Sequence, residues 1–384
     1  MSLPRRARAA TTVVFLLTGA VMAGWATRLP AVQERLGLST AEVGLAVTGL
    51  ELGAVSGLPL GGLMVSRLGS AGATRIGLAV YPGALLAAAV AQNLPLLAGA
   101  LAVTAAANSV VDVAVNVQGL ELERRYGRPV LSSLHAGHSA GLLTGGLTGT
   151  VAAAGGVSVG THFAVVAVVG TVLGVVVPTW FVAERTGGRG TAFARPDRRL
   201  LLLGLLAFCA FLLDGAASSW SALHVRTAYD ATPATAAAAF TVFAVALTIG
   251  RLGGDRVIAR LGREHTVLVA GLTTAAGCAL AISAPNPAGS LAGWGVFGLG
   301  LATIAPAVLG ASAAATQRPP AAAIAAVSTV GYLGSFTGPP VVGAVATTTS
   351  LSTALTVLVA VALTSACLAR PALRTTEKPD GGPR

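Results

Sequence analysis

The chain has 384 residues, of which 54% are hydrophobic and only 10% charged, with a mean hydropathy of +0.77 and a formal net charge of +11. Soluble domains carry about 25% charged residues, so this composition excludes an ordinary soluble globular protein. The basic residues fall singly or in twos and threes between apolar blocks, with no aromatic interleaving and no basic stripe, which excludes a nucleic-acid surface. Cys209, Cys278 and Cys367 lie inside apolar blocks, far apart and without metal-ligand spacing, and read as small buried hydrophobes.

The chain opens with Arg5, Arg6 and Arg8 ahead of an apolar run from Thr11, the pattern of a secretory leader. So many apolar blocks follow that the run reads instead as an uncleaved first crossing. Each block is close to the roughly 20 residues that cross about 30 Å of hydrocarbon. The expected crossings are 10–27, 40–65, 76–91, 96–120, 131–154 and 162–182, then 200–223, 234–250, 266–283, 290–315, 321–347 and 352–368. With the N-terminus placed in the cytoplasm, all 25 Lys and Arg residues except Arg28, Arg35 and Arg226 fall in cytoplasmic segments. One crossing more or fewer would scramble that asymmetry. The expectation is an all-α integral protein of twelve transmembrane helices in the cell membrane, multi-pass, with both termini cytoplasmic.

Residues 183–199 are polar, Gly-containing and basic, and fall at mid-chain. They read as a cytoplasmic linker between a six-helix half at 1–182 and another at 200–370, followed by a cytoplasmic tail at 371–384. An internal repeat supports the division. GGLMVSRLGS follows the second crossing and GRLGGDRVIARLGRE follows the eighth; Arg128-Pro129 opens the fifth and Arg318-Pro319 the eleventh, with Gly141 and Gly331 equally far beyond.

The most informative stretch runs from Asn108 to Gly149. Asn108, Asp112 and Asn116 are four residues apart, on one helical face. The basic residues Arg124, Arg125 and Arg128 follow, then a second apolar helix with His135 and His138 and a stripe of Gly141, Gly145 and Gly149. Ionisable groups inside a membrane are costly, so their presence is a functional-site hypothesis. The competing reading is a buried acid held by its neighbours for helix packing. Asp214 carries Ser218 and Ser221 on its face; Trp220 is either a stacking wall for a ligand or an interfacial belt residue. Glu51, beside Gly53, Gly57 and Gly61, is either a proton site or a partner for the eleventh crossing. His135 and His138 share a face and titrate near neutral pH, or simply pack; no converging ligand set for a metal accompanies them. His162, His224 and His265 lie at span ends and carry no signal.

At these residues the chain resembles the major facilitator superfamily of secondary transporters, from about residue 10 to 370. More narrowly it resembles a bacterial branch of unassigned substrate, distantly allied to fucose-permease-type sugar transporters. DVAVNVQGLELERRYGRPVLSSLHAGHSAG, LLDGAASSWSALHVR, GRLGGDRVIARLGR and STVGYLGSFTGPP carry that match. The resemblance implies two pseudo-symmetric six-helix halves, a central cavity lined by crossings one, four, seven and ten, alternating access, and a monomer. It also implies a cytoplasmic gate after the second and eighth crossings. In the family's first loop an acid precedes Arg; here Ser66 stands in that place before Arg67, so a helix-dipole contact is lost. Arg251, Asp255 and Arg256 keep the charged pattern in the second loop. Asp214 replaces the glutamate usual in the branch.

The expected function is movement of a small solute by alternating access, with protons exchanged at Asp112, Asp214 and Glu51. Uptake of a polar, sugar-like solute fits the Asn-Asp-Asn face; efflux of a drug or metabolite fits a cavity rich in Ala, Val and Leu. A non-transporting membrane sensor or scaffold, and a polytopic enzyme, are the rivals from other classes; no clustered nucleophile and base supports an enzyme. No phosphate-binding loop is present, and no cofactor is expected. The partners expected are the solute, the lipid bilayer and protons, not nucleic acid.

Overall fold

The computed structural model describes residues 3–38, 40–183, 198–231, 233–312 and 320–374. Residues 184–197 of the linker expected at 183–199, the Arg318-Pro319 pair and most of the tail expected from 371 lie outside the described residues.

Every described element is helical. α1 spans Leu3–Leu36, α2 Thr40–Val90, α3 Leu94–Tyr126, α4 Leu131–Ala154 and α5 Val159–Val176, followed by a 3-10 turn at Val177–Trp180. α6 spans Arg198–Ala228, α7 Pro233–Ser283, α8 Pro287–Leu301, α9 Ile304–Ser312, α10 Pro320–Thr348, α11 Leu351–Ala354 and α12 Thr356–Leu373. Nine stretches of the described residues are long and apolar enough to cross a membrane, two of them 42 and 46 residues long. At 1.5 Å per residue those two would reach about 65 and about 70 Å, more than twice the hydrocarbon. Both are broken by a glycine in a backbone region open to few other residues: Gly69 (φ 72°, ψ 168°) in α2 and Gly262 (φ 72°, ψ 165°) in α7. Divided there, and with the 24-residue α4 counted, the helices accommodate the twelve expected crossings.

The two halves of the sequence repeat one another in detail. α2 and α7 are each 51 residues long and break at the same internal position. Each is followed by an Asn N-cap: Asn93 accepts from Leu96 N and Asn286 from Gly289 N, at 3.0 and 2.9 Å. Ser158 and Ser350 cap α5 and α11 in the same way, accepting from Thr161 N and Thr353 N. α1 packs on α4 and α2 on α3 and α5; correspondingly α6 packs on α10 and α7 on α8 and α12. α2 meets α10, and α4 meets α7, across the repeat.

Helix contact depends on residues without side-chain bulk. The Gly141, Gly145 and Gly149 stripe of α4 faces α1. A Cβ on Gly145 would overlap the Ala20 carbonyl, and one on Gly149 would overlap the Thr27 side chain. Two departures from the expected spans have local causes. The tenth crossing is split between α8 and α9 because Pro306 removes the donor for the Ala302 carbonyl and crowds it. α1 runs well past Thr27, so Arg28, expected in an outer loop, is a helical residue only 4% exposed.

Candidate functional site

The face predicted on the fourth crossing is a connected polar relay. Asn116, fully buried, donates from Nδ2 to Asp112 Oδ1 at 3.0 Å and to the Asp112 carbonyl at 2.9 Å. Its own oxygen lies 3.1 Å from His135 Nε2 on α4. With the amide nitrogen committed to Asp112, that oxygen accepts, so His135 donates from Nε2. The His135 ring also lies against Phe15 of α1, centroids 4.8 Å apart. A turn further along, His138 Nδ1 is 3.0 Å from Thr18 Oγ1, whose backbone carbonyl accepts from the Tyr81 hydroxyl at 3.0 Å. Asn108 Oδ1 is buried with no partner among the described residues. A free acceptor one turn from a carboxylate that has a single oxygen engaged is suited to a polar solute.

The opposing face comes from the second half. Asp214 of α6 interacts electrostatically with Arg251 of α7, and Arg251 in turn with His135 and His138. Arg251 Nη1 donates to Ser139 Oγ of α4 at 2.9 Å. Tyr332 of α10 lies within electrostatic range of Asp112 and Tyr81, its ring edge-on to Phe211 at 5.4 Å. Six helices (α2, α3, α4, α6, α7 and α10) thus bring two acids, two histidines, an arginine and two tyrosines to one region. Thr18, Tyr81, Ser139 and Tyr332 were missed as single residues of ordinary type, with no periodicity to mark them.

Other predicted residues sit elsewhere. Trp220 is six residues along α6 from Asp214, about 9 Å further towards the helix end. Its Nε1 donates to the Pro339 carbonyl at 3.2 Å, tying α6 to α10. Ser218 is exposed. Glu51 is half-buried. It is three turns from Gly62 and shares its face, the face by which α2 approaches Ala321 and Ala325 of α10.

The basic end of the bundle is bridged between the halves. A helix begins with four backbone N–H groups that have no partner in the helix. At α4 two carboxylates take all four. Glu123 Oε1 accepts from Val130 N and Leu131 N at 2.9 and 3.2 Å. Asp255 of α7 accepts from Ser132 N at 2.9 Å and from Ser133 N at 3.1 Å, one on each oxygen. Ser132 Oγ donates to the Arg251 carbonyl at 2.8 Å, and Arg263 pairs with Glu123 Oε2 at 2.9 Å. Ser66 and Arg67 are exposed, and among the described residues Ser66 Oγ bonds only its own turn, donating to Leu63 O at 2.7 Å. Arg256 is also exposed. The repeat register, fixed by Gly69 and Gly262, puts Asp255 opposite Gly62 and Ser66 opposite Ala259. The acid is therefore present on one side of the two-fold repeat only. Arg263 and Glu123 were missed because the pairing joins residues 140 apart in sequence.

A duplicated, all-helical bundle of apolar crossings with a polar interior defines a polytopic membrane protein. The Major Facilitator Superfamily family model matches residues 203–384. An uncharacterized MFS-type transporter of Yersinia pestis is 30% identical over 367 residues, covering 95% of each chain. The membrane protein MosC of Rhizobium meliloti is 28% identical over 359 residues, covering 92% of this chain and 87% of that one. The chain belongs to the major facilitator superfamily. Among solved structures, FucP in the outward conformation has a TM-score of 0.79 at 17% identity, covering 96% of this chain and 99% of that one. The proton:xylose symporter XylE bound to a sugar analogue has a TM-score of 0.80 at 13% identity, covering 97% and 96%. These two share the fold.

Proposed function

We propose that this transporter moves a small polar solute by alternating access, rocking a half at 1–182 against a half at 200–370 around the Asp112 region, with 183–199 as linker and 371–384 as tail. The observation that carries the reading is the Asp112–Asn116–His135 relay in the membrane interior, facing Asp214 and Arg251. Acids kept in such a place exchange protons or balance cations. Asp112 takes a proton as solute enters beside Asn108. Asp214 holds Arg251 when ionised, and releases it when protonated. Arg251 also binds Ser139 and lies one helical turn from Asp255, so that change reaches the bridged end. In this reading the basic end is cytoplasmic, the chain acts as a monomer, and the Glu123–Asp255 cap holds the cytoplasmic side shut. The fold it shares with a fucose:proton symporter and a proton:xylose symporter favours a sugar-like solute and proton coupling.

The test is a ligand-stabilisation screen on the purified protein across sugars, organic acids, amino acids and amphipathic drugs, since a ligand that binds the folded state raises the melting temperature. A polar hit lost in Asp112→Asn or Asp214→Asn is expected. Hits confined to amphipathic cations, and indifferent to both substitutions, would overturn the reading.

A further inference from the structure

At the end of the bundle opposite the basic one, Arg28 of α1 is 4% exposed beneath the turn that joins α4 to α5. Nη2 donates to the Val157 carbonyl in that turn. Nε and Nη1 are buried and have no partner among the described residues. None of the ion pairs among those residues includes Arg28. A second unpaired group adjoins it. His162 of α5 is 7% exposed, its Nδ1 is buried without a partner, and it lies within electrostatic range of Arg28. The His162 ring edge packs against Gly24 and Gly149, beside Thr27. Arg28 and Thr27 line an open recess with Ala153, Gly156 and Glu34.

A guanidinium withdrawn from water without a counter-charge is strongly unfavourable, and guanidinium donors match the oxygens of carboxylates and phosphates. Arg28, with two nitrogens that have no partner among the described residues, and the Thr27 hydroxyl line a recess that opens outward, and the unpaired His162 imidazole lies behind it within electrostatic range of Arg28. We propose that Arg28 anchors an oxyanion site here, separate from the Asp112 region, which takes a singly charged carboxylate or phosphodiester group. Glu34 is exposed on the rim and disfavours a second negative charge. The ligand oxygen accepts from Nε and Nη1 of Arg28, and His162 donates from Nδ1 when it carries its proton there. The chemistry is the same whether the group belongs to a soluble acid or to an anionic phospholipid in the adjoining leaflet.

The experiment compares wild type with Arg28→Gln in two arms. In detergent, sodium acetate is titrated against sodium chloride at equal ionic strength, and the melting temperature is read. In parallel, native mass spectrometry reads retention of phosphatidylglycerol against phosphatidylcholine. A rise of several degrees with acetate, absent in Arg28→Gln, assigns a soluble carboxylate. Selective retention of phosphatidylglycerol, lost in Arg28→Gln, assigns the lipid. Wild type and variant behaving alike in both arms overturns the proposal. Should Arg28→Gln fail to fold, Arg28→Lys keeps the charge and loses the Nε donor. It is expected to respond less than half as strongly, and a full response from it overturns the guanidinium site.

Discussion

Replacing Asp255 with Asn tests the bridge at the basic end. The carboxylate accepts two backbone N–H groups of α4, at 2.9 and 3.1 Å, from the opposite half of the repeat. Hydrogen bonds to a charged group contribute about 1.5–3 kcal/mol each, and a negative charge at a helix N-terminus about 0.3–1 kcal/mol more. The amide keeps one accepting oxygen and turns an NH2 towards the other N–H, so one bond and the charge are lost. The expected loss is about 2 kcal/mol, or roughly 30-fold in the ratio of bridged to parted states. The assay is a distance distribution between spin labels at Arg67→Cys and Arg260→Cys, one exposed position in each half. The background carries Cys367→Ser, because Cys209 and Cys278 are buried and Cys367 is exposed. Asp255→Asn is expected to add a long-distance population. Ser66→Asp restores an acid where, among the described residues, Ser66 bonds only its own turn, and is expected to leave the distribution as it was. An Asp255→Asn distribution that matches wild type would refute the reasoning.

Gly69→Ala and Gly262→Ala each force a Cβ into a backbone region that is essentially glycine's own. Each is expected to cost about 1–3 kcal/mol, read as a lowered melting temperature. Gly145→Val drives a side chain into the Ala20 carbonyl and is expected to cost about 1–3 kcal/mol or to part α1 from α4, with Gly146→Val, where a Cβ meets nothing within 4 Å, as the tolerated control. Asn116→Ala strands both the Asp112 carboxylate and His135 Nε2, at about 1–3 kcal/mol. Asn108→Ala removes an oxygen that already has no partner and is expected to leave stability nearly unchanged while weakening ligand-induced stabilisation. The opposite ranking would contradict the relay as described.

The fold was largely legible because a membrane simplifies the code. Apolar blocks of fixed length and alternating basic loops carry the crossings, and the positions of Gly69 and Gly262 within two equal helices follow from the repeated loop motif. The break at Pro306 was not read from the sequence, because the continuous apolar run around it masked the proline's effect on the Ala302 carbonyl. The relay of Asp112 and Asn116 was half visible, as i,i+4 spacing on one helix; its continuation to His135 depends on how α3 meets α4. Pairings between halves were legible only as what the family resemblance implies for the loop acid. Nothing local marks Glu123 and Asp255 as sharing one helix N-terminus, or Arg263 as the partner of Glu123. The loop motif did suggest a gating acid, but only the three-dimensional structure shows that Asp255 accepts from Ser132 N and Ser133 N at the start of α4. Arg28 was misread because an arginine near a span end ordinarily reaches water, whereas α1 continues and carries it beneath the α4–α5 turn.

The most direct test of the central claim is uptake, into proteoliposomes, of the solute found by the stabilisation screen, with and without an imposed pH gradient, for wild type and Asp112→Asn. The account predicts that wild type accumulates solute against its gradient only when protons flow inward, and that Asp112→Asn still exchanges solute across the membrane but no longer concentrates it. Accumulation by Asp112→Asn equal to wild type, or wild-type uptake indifferent to the pH gradient, would contradict it.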